Sequence, residues 1–540
     1  MTAGSVSGNG EGTDTISNIE VLQFGTGATA PAYYLVASGT AGTPVDISGL
    51  NLGGTAGLSS LTGNTDDFVT IGQNFFGRPI NLGAGSADTV NLGIAGVGYT
   101  LALSGVENLN GTAGDEFVTL TDNANGLAVD LGSGNNDFLQ LANGANSFSV
   151  ANVEFIQTND FVGSSDDTLF LLNNVSGVTV NLNNGNNTLN LAAGINSLTN
   201  AHNVQTINGS ASNDDLTIGN ITGSTFNMGD GTDTLQIATA GYTSLNFIGV
   251  ENIVGSAGDD FVNLVGTVSG LVVDLGDGND TLSVAGGASS VSVVNVENIN
   301  RSDYLGLGGE PATDDTLTLL SNVSSVTVNL QLGTNTINLA AGSNSFDNLF
   351  NISEVNGTSS DDTLTLLGNG ANTIDLGGGT DTLNLTVGAS GFTVVDAEAI
   401  NGSAAYDNFT IGNISGSTTV TAGAGSDAIT ASLGQDNFRF ASVADSTISG
   451  VRDAITGFDA GSDTFTFSGI TFGGDGHIEY VDTGSFAGNG QASAHLQLDS
   501  PGNGLLQIDV DGNGAMDAND MEISLSNFTG PLSNSNFLLT

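Results

Sequence analysis

Short runs of alternating apolar and polar residues fill the chain, and turn-forming residues separate them. The runs "TLSV", "TLNL", "TLTL" and "TINL" place Thr, Ser or Asn on one side and Leu, Val or Ile on the other. Each run follows a loop of Gly, Asn and Asp, and a second run such as "GLVVDL" lies nearby. Alternation with a period of two over four to six residues predicts β-strands rather than helices.

The loops recur at regular spacing. "DLGSGNND" begins at Asp130, "DLGDGND" at Asp274 and "DLGGGTD" at Asp375, and sister loops such as "GSAGDD" alternate with them. Steps between loops alternate between about 20 and about 27 residues, averaging about 24. The last acidic or amide positions of the loops are Asp67, Asp88, Glu116, Asp137, Asp167, Asn187, Asp215, Asp233, Asp260, Asp280, Asp315, Asn335, Asp362, Asp381, Asn408 and Asp427.

A fixed period in this range is typical of a solenoid, in which stacked repeats bury apolar faces that no single repeat can bury. The sequence therefore predicts an all-β protein. We expect a parallel β-solenoid, of β-helix or β-roll type, with about sixteen rungs and one Gly-Asp loop per rung. Stacking would place these loops in a column along one edge. A β-rich capping module is predicted after the solenoid.

The net charge of the chain bears on its partners and on the role of the loops. The formal net charge is −52, from 56 acidic and four basic residues, which disfavours nucleic acid and anionic membranes as partners. The hydrophobic fraction of 39% is too high for a disordered acidic chain. Stacked carboxylates repel one another, whereas Ca²⁺ binds six to eight oxygens, and glycines let a loop turn its carbonyls inward. The loops therefore predict multiple Ca²⁺ sites, with ordinary turn chemistry as the alternative.

A separate loop, "DVDGNGAMDAND", fits the EF-hand calcium pattern through Gly514 at its sixth position, although Asp520 stands where Glu is usual. Its flanks alternate like strands, so we expect a strand-loop-strand site, with an Asn-Gly hairpin as the alternative. Loops with Glu116, Asn187, Asn335 or Asn408 should bind weakly or not at all. The predicted ligands are Asp67, Asp88, Asp137, Asp167, Asp215, Asp230, Asp233, Asp260, Asp277, Asp280, Asp315, Asp362, Asp381, Asp427 and Asp436 in the repeats, and Asp509, Asp511, Asn513, Asp517 and Asp520, with the Ala515 carbonyl, in the separate loop.

Two tandem loops, "TAGAGSDAI" and "TASLGQDNF" at residues 421–438, resemble the nonapeptide GGxGxDxUx of the repeats-in-toxin (RTX) family. That family's parallel β-roll binds Ca²⁺ between turns. Residues 436–470 resemble the C-terminal module of serralysin-type proteins and other type I secretion substrates, whose export signal is an uncleaved C-terminal region. The resemblance implies Ca²⁺ binding, type I export and an extracellular or cell-surface location. The wider upstream rungs favour a β-helix with longer strands over the compact β-roll.

The expected organisation has three parts. Residues 1–60 form a strand-rich segment that resembles the end of a preceding repeat unit, residues 61–438 form the solenoid, and residues 439–540 form the module with the EF-hand-like loop. The first residues lack the basic and apolar regions of a classical signal peptide, and Met1 fits either a complete protein or a fragment. No apolar run approaches the roughly 20 residues of a membrane helix.

No enzyme is predicted. The three histidines are isolated, no H-E-x-x-H or G-x-S-x-G motif occurs, and the acid pairs recur where a catalytic pair should be unique. The preferred hypothesis is a secreted, Ca²⁺-dependent structural protein that assembles into a surface layer or filament. The alternatives are the stalk and export end of an RTX adhesin, or the non-catalytic C-terminal part of an RTX enzyme or toxin. Expected partners are copies of the chain, the type I secretion apparatus and cell-surface polysaccharide, without nucleic acid or membrane insertion.

Overall fold

The structure is a computed structural model with two compact units, Met1–Ser256 and Ala257–Thr540. It describes the chain except for residues 1–3, 9–10, 17–20, 25–31, 36–39, 41–43, 48–57, 61–64, 73–75, 77, 159–163, 222, 266, 285–286, 302–312, 369, 413–415 and 449. Among the described residues there is no α-helix, and no helix has the length and apolar character needed to cross a membrane.

Each unit is built from turns of a parallel β-solenoid. Successive solenoid strands alternate between two sheets, and most of them pair in parallel with the strands one turn earlier and one turn later. Val90, for example, pairs with Val69 on one side and Leu109 on the other. The predicted fold class, all-β with a parallel β-solenoid and a β-rich C-terminal module, is confirmed.

The strands of residues 1–256 fall into two sheets and an antiparallel hairpin, Gly4–Gly8 with Glu11–Ile16. The first sheet contains Val45–Asp46, Phe68–Ile71, Thr89–Leu92, Asn108–Thr112, Asn125–Gly132, Ser147–Ala151, Thr168–Leu171, Thr188–Asn190, Thr206–Ser210, Thr225–Gly229 and Gly241–Ile248. The second contains Val21–Phe24, Ala32–Leu35, Leu58–Ser60, Pro79–Asn81, Thr100–Ser104, Phe117–Leu120, Phe138–Leu141, Phe155–Thr158, Val178–Asn181, Ile195–His202, Asp215–Asn220, Thr234–Ile237 and Asn252–Val254.

Residues 257–540 repeat this arrangement and add two short 3₁₀ helices, Val443–Asp445 and Asn534–Asn536. The first sheet contains Asp260–Val265, Thr281–Val284, Asn298–Arg301, Val326–Asn329, Ser343–Phe350, Thr363–Leu366, Thr382–Leu385, Ala399–Asn401, Ser417–Thr421, Gln435–Phe440, Thr464–Phe467 and Phe537–Leu539. The second contains Ser269–Asp274, Ser290–Val294, Thr316–Leu319, Thr336–Asn338, Glu354–Thr358, Thr373–Gly377, Ser390–Val395, Asn408–Ile411, Ala428–Thr430, Asp453–Thr456, Glu479–Tyr480, Ser493–Ser500, Asn503–Asp509 and Met521–Ser526.

The C-terminal strands depart from the solenoid pattern. Ser493–Ser500, Asn503–Asp509 and Met521–Ser526 form an antiparallel meander, and the last of these pairs in parallel with Asp453–Thr456. Phe537–Leu539 pairs in parallel with Thr464–Phe467. The meander and the last strand therefore cover the final solenoid strands of both sheets.

The alternating sequence pattern sets the core. Leu282, Leu364 and Leu383 are fully buried, and similar Leu, Val, Ile and Phe side chains fill the space between the sheets along both units. The outward polar side chains also stack, because equivalent residues lie one strand spacing apart. Asn384 accepts a hydrogen bond from Asn401 at 2.8 Å, one of several asparagine ladders on the outer faces.

Turn length differs from the sequence prediction. Val69, Val90 and Leu109 are 21 and 19 residues apart, so one turn holds about 20 residues. A short step between loops is therefore one turn, but the 28-residue step from Asp88 to Glu116 moves the loop to the opposite sheet, ahead of Phe117–Leu120.

A pair of loops thus spans about two and a half turns, and there are more turns than loops. Within each unit the loop pairs alternate between the edges of the two sheets. The prediction that all loops lie in one column was wrong, because the long step contains an extra half turn.

Candidate metal centres

Carboxylates join consecutive turns at these edges. Asp280 Oδ1 accepts a hydrogen bond from the Asp260 backbone N–H at 2.7 Å, and the Asp280 N–H donates to Glu297 Oε2 at 2.8 Å. We call such a group an edge cluster, with a first, a middle and a closing residue from three successive turns. The edge clusters are Asp67–Asp88–Glu107, Glu116–Asp137–Glu154, Asp167–Asn187–Gln205, Asp214–Asp233–Glu251, Asp260–Asp280–Glu297, Asp315–Asn335–Ser353, Asp362–Asp381–Glu398 and Asp407–Asp427–Asp453. In the cluster with Ser353 the closing contact is different, because the Ser353 N–H donates to the Asn335 carbonyl oxygen at 2.8 Å.

The acid before the first residue has a different role. Asp259 Oδ1 accepts a hydrogen bond from the Asn279 N–H at 2.9 Å, which caps the loop of the next turn. The half-buried Asp66 and the exposed Asp115 accept similar bonds, and these bonds lower the pKa of both carboxyl groups. The paired acids of the sister loops are therefore one more accessible cap and one buried cluster residue.

The structure places most of the predicted repeat ligands at buried loop positions. Asp230 and Asp277 are exposed instead. The sequence alignment is shifted by one residue in two loops, where Asp214 and Asp407 hold the buried positions in place of Asp215 and Asn408. The buried predicted ligands are Asp67, Asp88, Asp137, Asp167, Asp233, Asp260, Asp280, Asp315, Asp362, Asp381, Asp427 and Asp436.

The middle aspartates are buried carboxylates whose negative charge is only partly compensated. Asp280 is fully buried, its Oδ1 is hydrogen-bonded, and its Oδ2 has no hydrogen-bond partner among the residues that the structure describes. Burial, together with the nearby charge of Glu297, raises the pKa of Asp280 to about 6. A buried, incompletely paired carboxylate is costly unless a proton or a cation neutralises it. The same Oδ2 atom has no partner in Asp137, Asp233, Asp381 and Asp427.

This donor set fits Ca²⁺. The loops offer carboxylate and carbonyl oxygens without sulfur or imidazole, which is the chemistry that hard cations prefer. Bound Ca²⁺ would supply positive charge at Asp280 and Glu297 and so join neighbouring turns. The residues of the loops can therefore hold Ca²⁺. Which loops bind an ion remains a prediction.

Glycine at position 278 is required by a close approach. Its φ is +152°, and a Cβ built there would lie 2.7 Å from Asp280 Oδ1 and 3.0 Å from the Gly258 backbone. We expect Gly278→Ala to lower the free energy of unfolding by roughly 1–3 kcal/mol, because the backbone or the carboxylate must shift.

Gly270 provides the matched control for this substitution. Its φ is also positive, +74°, but a Cβ there meets no atom within 4 Å. Urea unfolding in millimolar Ca²⁺ measures both variants. Equal destabilisation by Gly278→Ala and Gly270→Ala would contradict the crowding argument.

The second candidate centre is the EF-hand-like loop. Carboxylate oxygens of Asp509, Asp511 and Asp520 all lie within 4.8 Å of one another. Asp509 and Asp520 are fully buried, and burial raises the pKa of both. The loop joins antiparallel strands Asn503–Asp509 and Met521–Ser526, so the strand-loop-strand prediction is confirmed.

Asn513 and Asp517 belong to the same group of polar side chains as Asp511. Asn513 Nδ2 donates hydrogen bonds to Asp511 Oδ2 at 3.0 Å and to Asp517 Oδ2 at 3.1 Å. The five predicted residues therefore come together around one loop. Three neighbouring carboxylates would be repulsive at neutral pH without a cation, which supports the predicted site.

Asp511→Asn should remove one bound Ca²⁺ per chain at about 1 mM free Ca²⁺, because the site loses a third of its converging charge. Asp511 is exposed, so the surrounding strands should keep their circular dichroism. Asp499→Asn is the control, since Asp499 is an exposed acid on the neighbouring strand Ser493–Ser500. Equilibrium dialysis measures the ion count, and an unchanged count in Asp511→Asn would rule the site out.

The closing glutamates were missed from the sequence. Glu107, Glu251 and Glu297 each lie in a Val-Glu-Asn tripeptide, 17 to 19 residues after the middle aspartate. The repeated tripeptide is the signal in the sequence for these residues, although it lies at the start of a strand, where alternation alone indicates only a strand. Asp453 and Asp463 were also missed, and burial raises their pKa to about 8 and about 6.

The histidines occupy separate places. His202 ends the strand Ile195–His202, His495 lies within Ser493–Ser500, and His477 is exposed and contacts Asp475. None of the three belongs to an edge cluster or to the EF-hand-like loop. The prediction that the protein is not an enzyme remains a prediction.

The fold and its edge clusters define a parallel β-solenoid with repeated acidic loops. Residues 367–537 match the family model for the Peptidase M10 serralysin C terminal. Together these findings fit an RTX-repeat protein with a serralysin-like C-terminal module. No curated protein matches the chain significantly.

The match supports two general properties. Serralysin-type RTX repeats generally bind calcium, and a serralysin C-terminal domain implies an extracellular protein exported by type I secretion. The matched part of that family is its non-catalytic repeat domain.

Proposed function

We propose that the protein is a secreted, Ca²⁺-dependent structural protein of the bacterial cell surface that assembles with copies of itself into a layer or filament. The observation that carries this proposal is the repetition of the edge clusters along both units. An enzyme needs one catalytic centre, whereas the edge clusters recur about every two and a half turns. Such repetition is typical of groups that stabilise a repeat structure.

The charge supports coupling between metal binding and assembly. At a formal charge of −52, chains without bound cations repel one another at low ionic strength. Exposed acids such as Asp230 and Asp277 remain outside the clusters, where Ca²⁺ can reduce the charge between neighbouring copies. Folding and association would then both begin where Ca²⁺ is abundant, outside the cell.

The N-terminal end is the proposed contact. The strand Val21–Phe24 pairs antiparallel with Ala32–Leu35 and so has one edge already occupied. Residues 17–20, 25–31, 36–39, 41–43, 48–57 and 61–64 lie outside the described residues. An N-terminal contact therefore remains a proposal.

Sedimentation velocity and negative-stain microscopy with and without millimolar Ca²⁺ test the function. We expect sheets or fibres only with Ca²⁺, and loss of assembly without loss of β-sheet signal when residues 1–60 are deleted. A folded chain that stays strictly monomeric in millimolar Ca²⁺, with its N-terminus intact, would contradict self-assembly.

The family match favours a second candidate. Because residues 367–537 match only the C-terminal part of a peptidase family, the chain also suits the stalk and export end of an RTX adhesin, or the non-catalytic part of an RTX enzyme or toxin. Monomeric rods would support the adhesin stalk, and a catalytic domain encoded in the same gene would support the enzyme or toxin. Binding to cell-surface polysaccharide belongs to the adhesin alternative.

A further inference from the structure

Two edge clusters have asparagine in the middle position, and their amides make contacts that the aspartates lack. Asn187 Nδ2 donates hydrogen bonds to the carbonyl oxygens of Asn183 at 2.6 Å and Asn203 at 2.7 Å. Asn335 Nδ2 donates to the carbonyl oxygens of Gln331 at 3.3 Å and Asn351 at 2.8 Å. In both loops the NH₂ group faces two carbonyl oxygens.

In the aspartate clusters, a carboxylate oxygen takes the position of the amide NH₂ group, next to the same two backbone positions. By register, the two carbonyls at Asp280 belong to Gly276, four residues earlier, and Asn295, two residues before the closing Glu297. Asn295 has φ +51°, matching +57° at Asn203. Asp280 Oδ2, at the position of the amide nitrogen, has no hydrogen-bond partner in the described part of the chain. Positive φ two residues before the closing position recurs at Gly105, Asn152, Asn203, Gly249, Asn295, Asn351 and Asp396.

The closing residue changes together with the middle residue. Where the middle residue is Asn187 or Asn335, the closing position holds the uncharged Gln205 or Ser353. In the seven clusters other than Asp407–Asp427–Asp453, carboxylates thus occur as pairs or are absent as pairs at the middle and closing positions. The middle and closing residues paired as carboxylates are Asp88 with Glu107, Asp137 with Glu154, Asp233 with Glu251, Asp280 with Glu297 and Asp381 with Glu398.

This pairing is hard to explain by hydrogen bonding alone. Glu297 Oε2 accepts from the Asp280 N–H at 2.8 Å, and Gln205 Oε1 accepts the equivalent bond from Asn187 at 2.7 Å. An amide therefore serves that hydrogen bond as well as a carboxylate does. What differs is the charge, which is −2 for the Asp–Glu pair and zero for the Asn–Gln pair, and two negative charges match one divalent cation.

We propose that the edge clusters are two versions of one inter-turn site: the Asp–Glu version binds one divalent cation, and in the Asn version the amide NH₂ takes the place of that cation. The ligands would be the middle aspartate Oδ2, the closing glutamate and the two facing carbonyls. This inference rests on the proposed Ca²⁺ dependence and refines it to one ion per Asp–Glu pair rather than one per Gly-Asp loop. The amide version holds its turns together without metal.

Substitutions that convert one version of the site into the other test the inference. In the full-length chain, Asp280→Asn should bind one Ca²⁺ fewer than the wild-type chain, and Glu297→Gln should lose the same single ion. The double variant Asn187→Asp with Gln205→Glu should bind one Ca²⁺ more. Asp277→Asn, an exposed loop acid three residues from Asp280, is the control and should leave the count unchanged.

The readouts are the Ca²⁺ count after equilibrium dialysis at about 1 mM free Ca²⁺, and unfolding in chelator at pH 8. Asp280→Asn should keep more β-sheet circular dichroism in chelator than the wild-type chain, because its amide can donate to the facing carbonyls. If Asp280→Asn does not fold in saturating Ca²⁺, the count in Glu297→Gln and in the double variant decides.

Three results would overturn the inference while leaving Ca²⁺ dependence intact: an unchanged count in both Asp280→Asn and Glu297→Gln, loss of more than one ion from either, or no gain in the double variant. A wild-type chain that binds no Ca²⁺ would overturn the inference together with the proposed Ca²⁺ dependence. Ion counts in the wild-type chain and the variants therefore separate the two failures.

Discussion

Chelation of divalent cations at pH 8 is expected to abolish most of the β-sheet circular dichroism of the chain, and about 1 mM Ca²⁺ should restore it. At this pH Asp137 and Asp280, whose pKa values are raised to about 7 and about 6, are largely ionised, and among the described residues each keeps one carboxylate oxygen without a hydrogen-bond partner. Such groups are far more stable in water than in the fold, so the free energy of unfolding falls with each site left without a cation.

Salt and magnesium are the informative controls. Sodium chloride at 1 M shortens the screening length to about 3 Å and weakens repulsion between exposed acids, but it does not supply ligands to buried oxygens. Mg²⁺ prefers a tight octahedral shell and retains its water, so it should be a poor substitute for Ca²⁺. A full β-sheet spectrum in chelator, or full recovery with sodium chloride alone, would contradict a requirement for bound Ca²⁺.

Without Ca²⁺, the chain should become more stable as the pH falls from 8 towards 5. Burial raises the pKa of Asp280 to about 6, that of Asp427 to about 7 and that of Asp453 to about 8, and neighbouring acids add to each shift. An unfolded aspartate has a pKa near 3.9, so the fold binds protons that the unfolded chain releases.

The sign of this dependence follows from the raised pKa values. The proton-linked contribution to stability is complete below pH of about 4 and is lost as the pH rises through about 6 to 8. Asp66 and Asp115 act in the opposite sense, because hydrogen bonds lower their pKa, and their contribution is lost only at lower pH. Maximum stability without Ca²⁺ is therefore expected near pH 4 to 5.

Thermal unfolding in chelator between pH 4 and 9, repeated in 5 mM Ca²⁺, measures this effect. In 5 mM Ca²⁺ the melting temperature should change much less between pH 6 and 8, because a bound cation replaces the protons on the buried carboxylates. The Asp280→Asn variant should show a smaller pH dependence than Asp277→Asn. A melting temperature in chelator that rises between pH 5 and pH 8 would contradict the argument.

The sequence determined the fold class because the solenoid depends on local rules. Alternation of Leu and Val with Thr and Asn assigns one face of each strand to the core, as in Thr281–Val284 and Thr382–Leu385. Regular spacing of the Gly-Asp loops then requires the turns to stack. The EF-hand-like loop was equally predictable, because its ligands Asp509, Asp511 and Asp520 lie within twelve residues.

Only the tertiary structure decided which loops meet. Steps of about 20 and 27 residues look like variants of one period, but strand pairing makes the first a whole turn and the second one and a half turns. The same pairing brings Glu297 to Asp280 and gives Asp214 the buried place in preference to Asp215. Contacts between residues one turn apart depend on the register of neighbouring strands, and a shift of one residue exchanges a buried side chain for an exposed one.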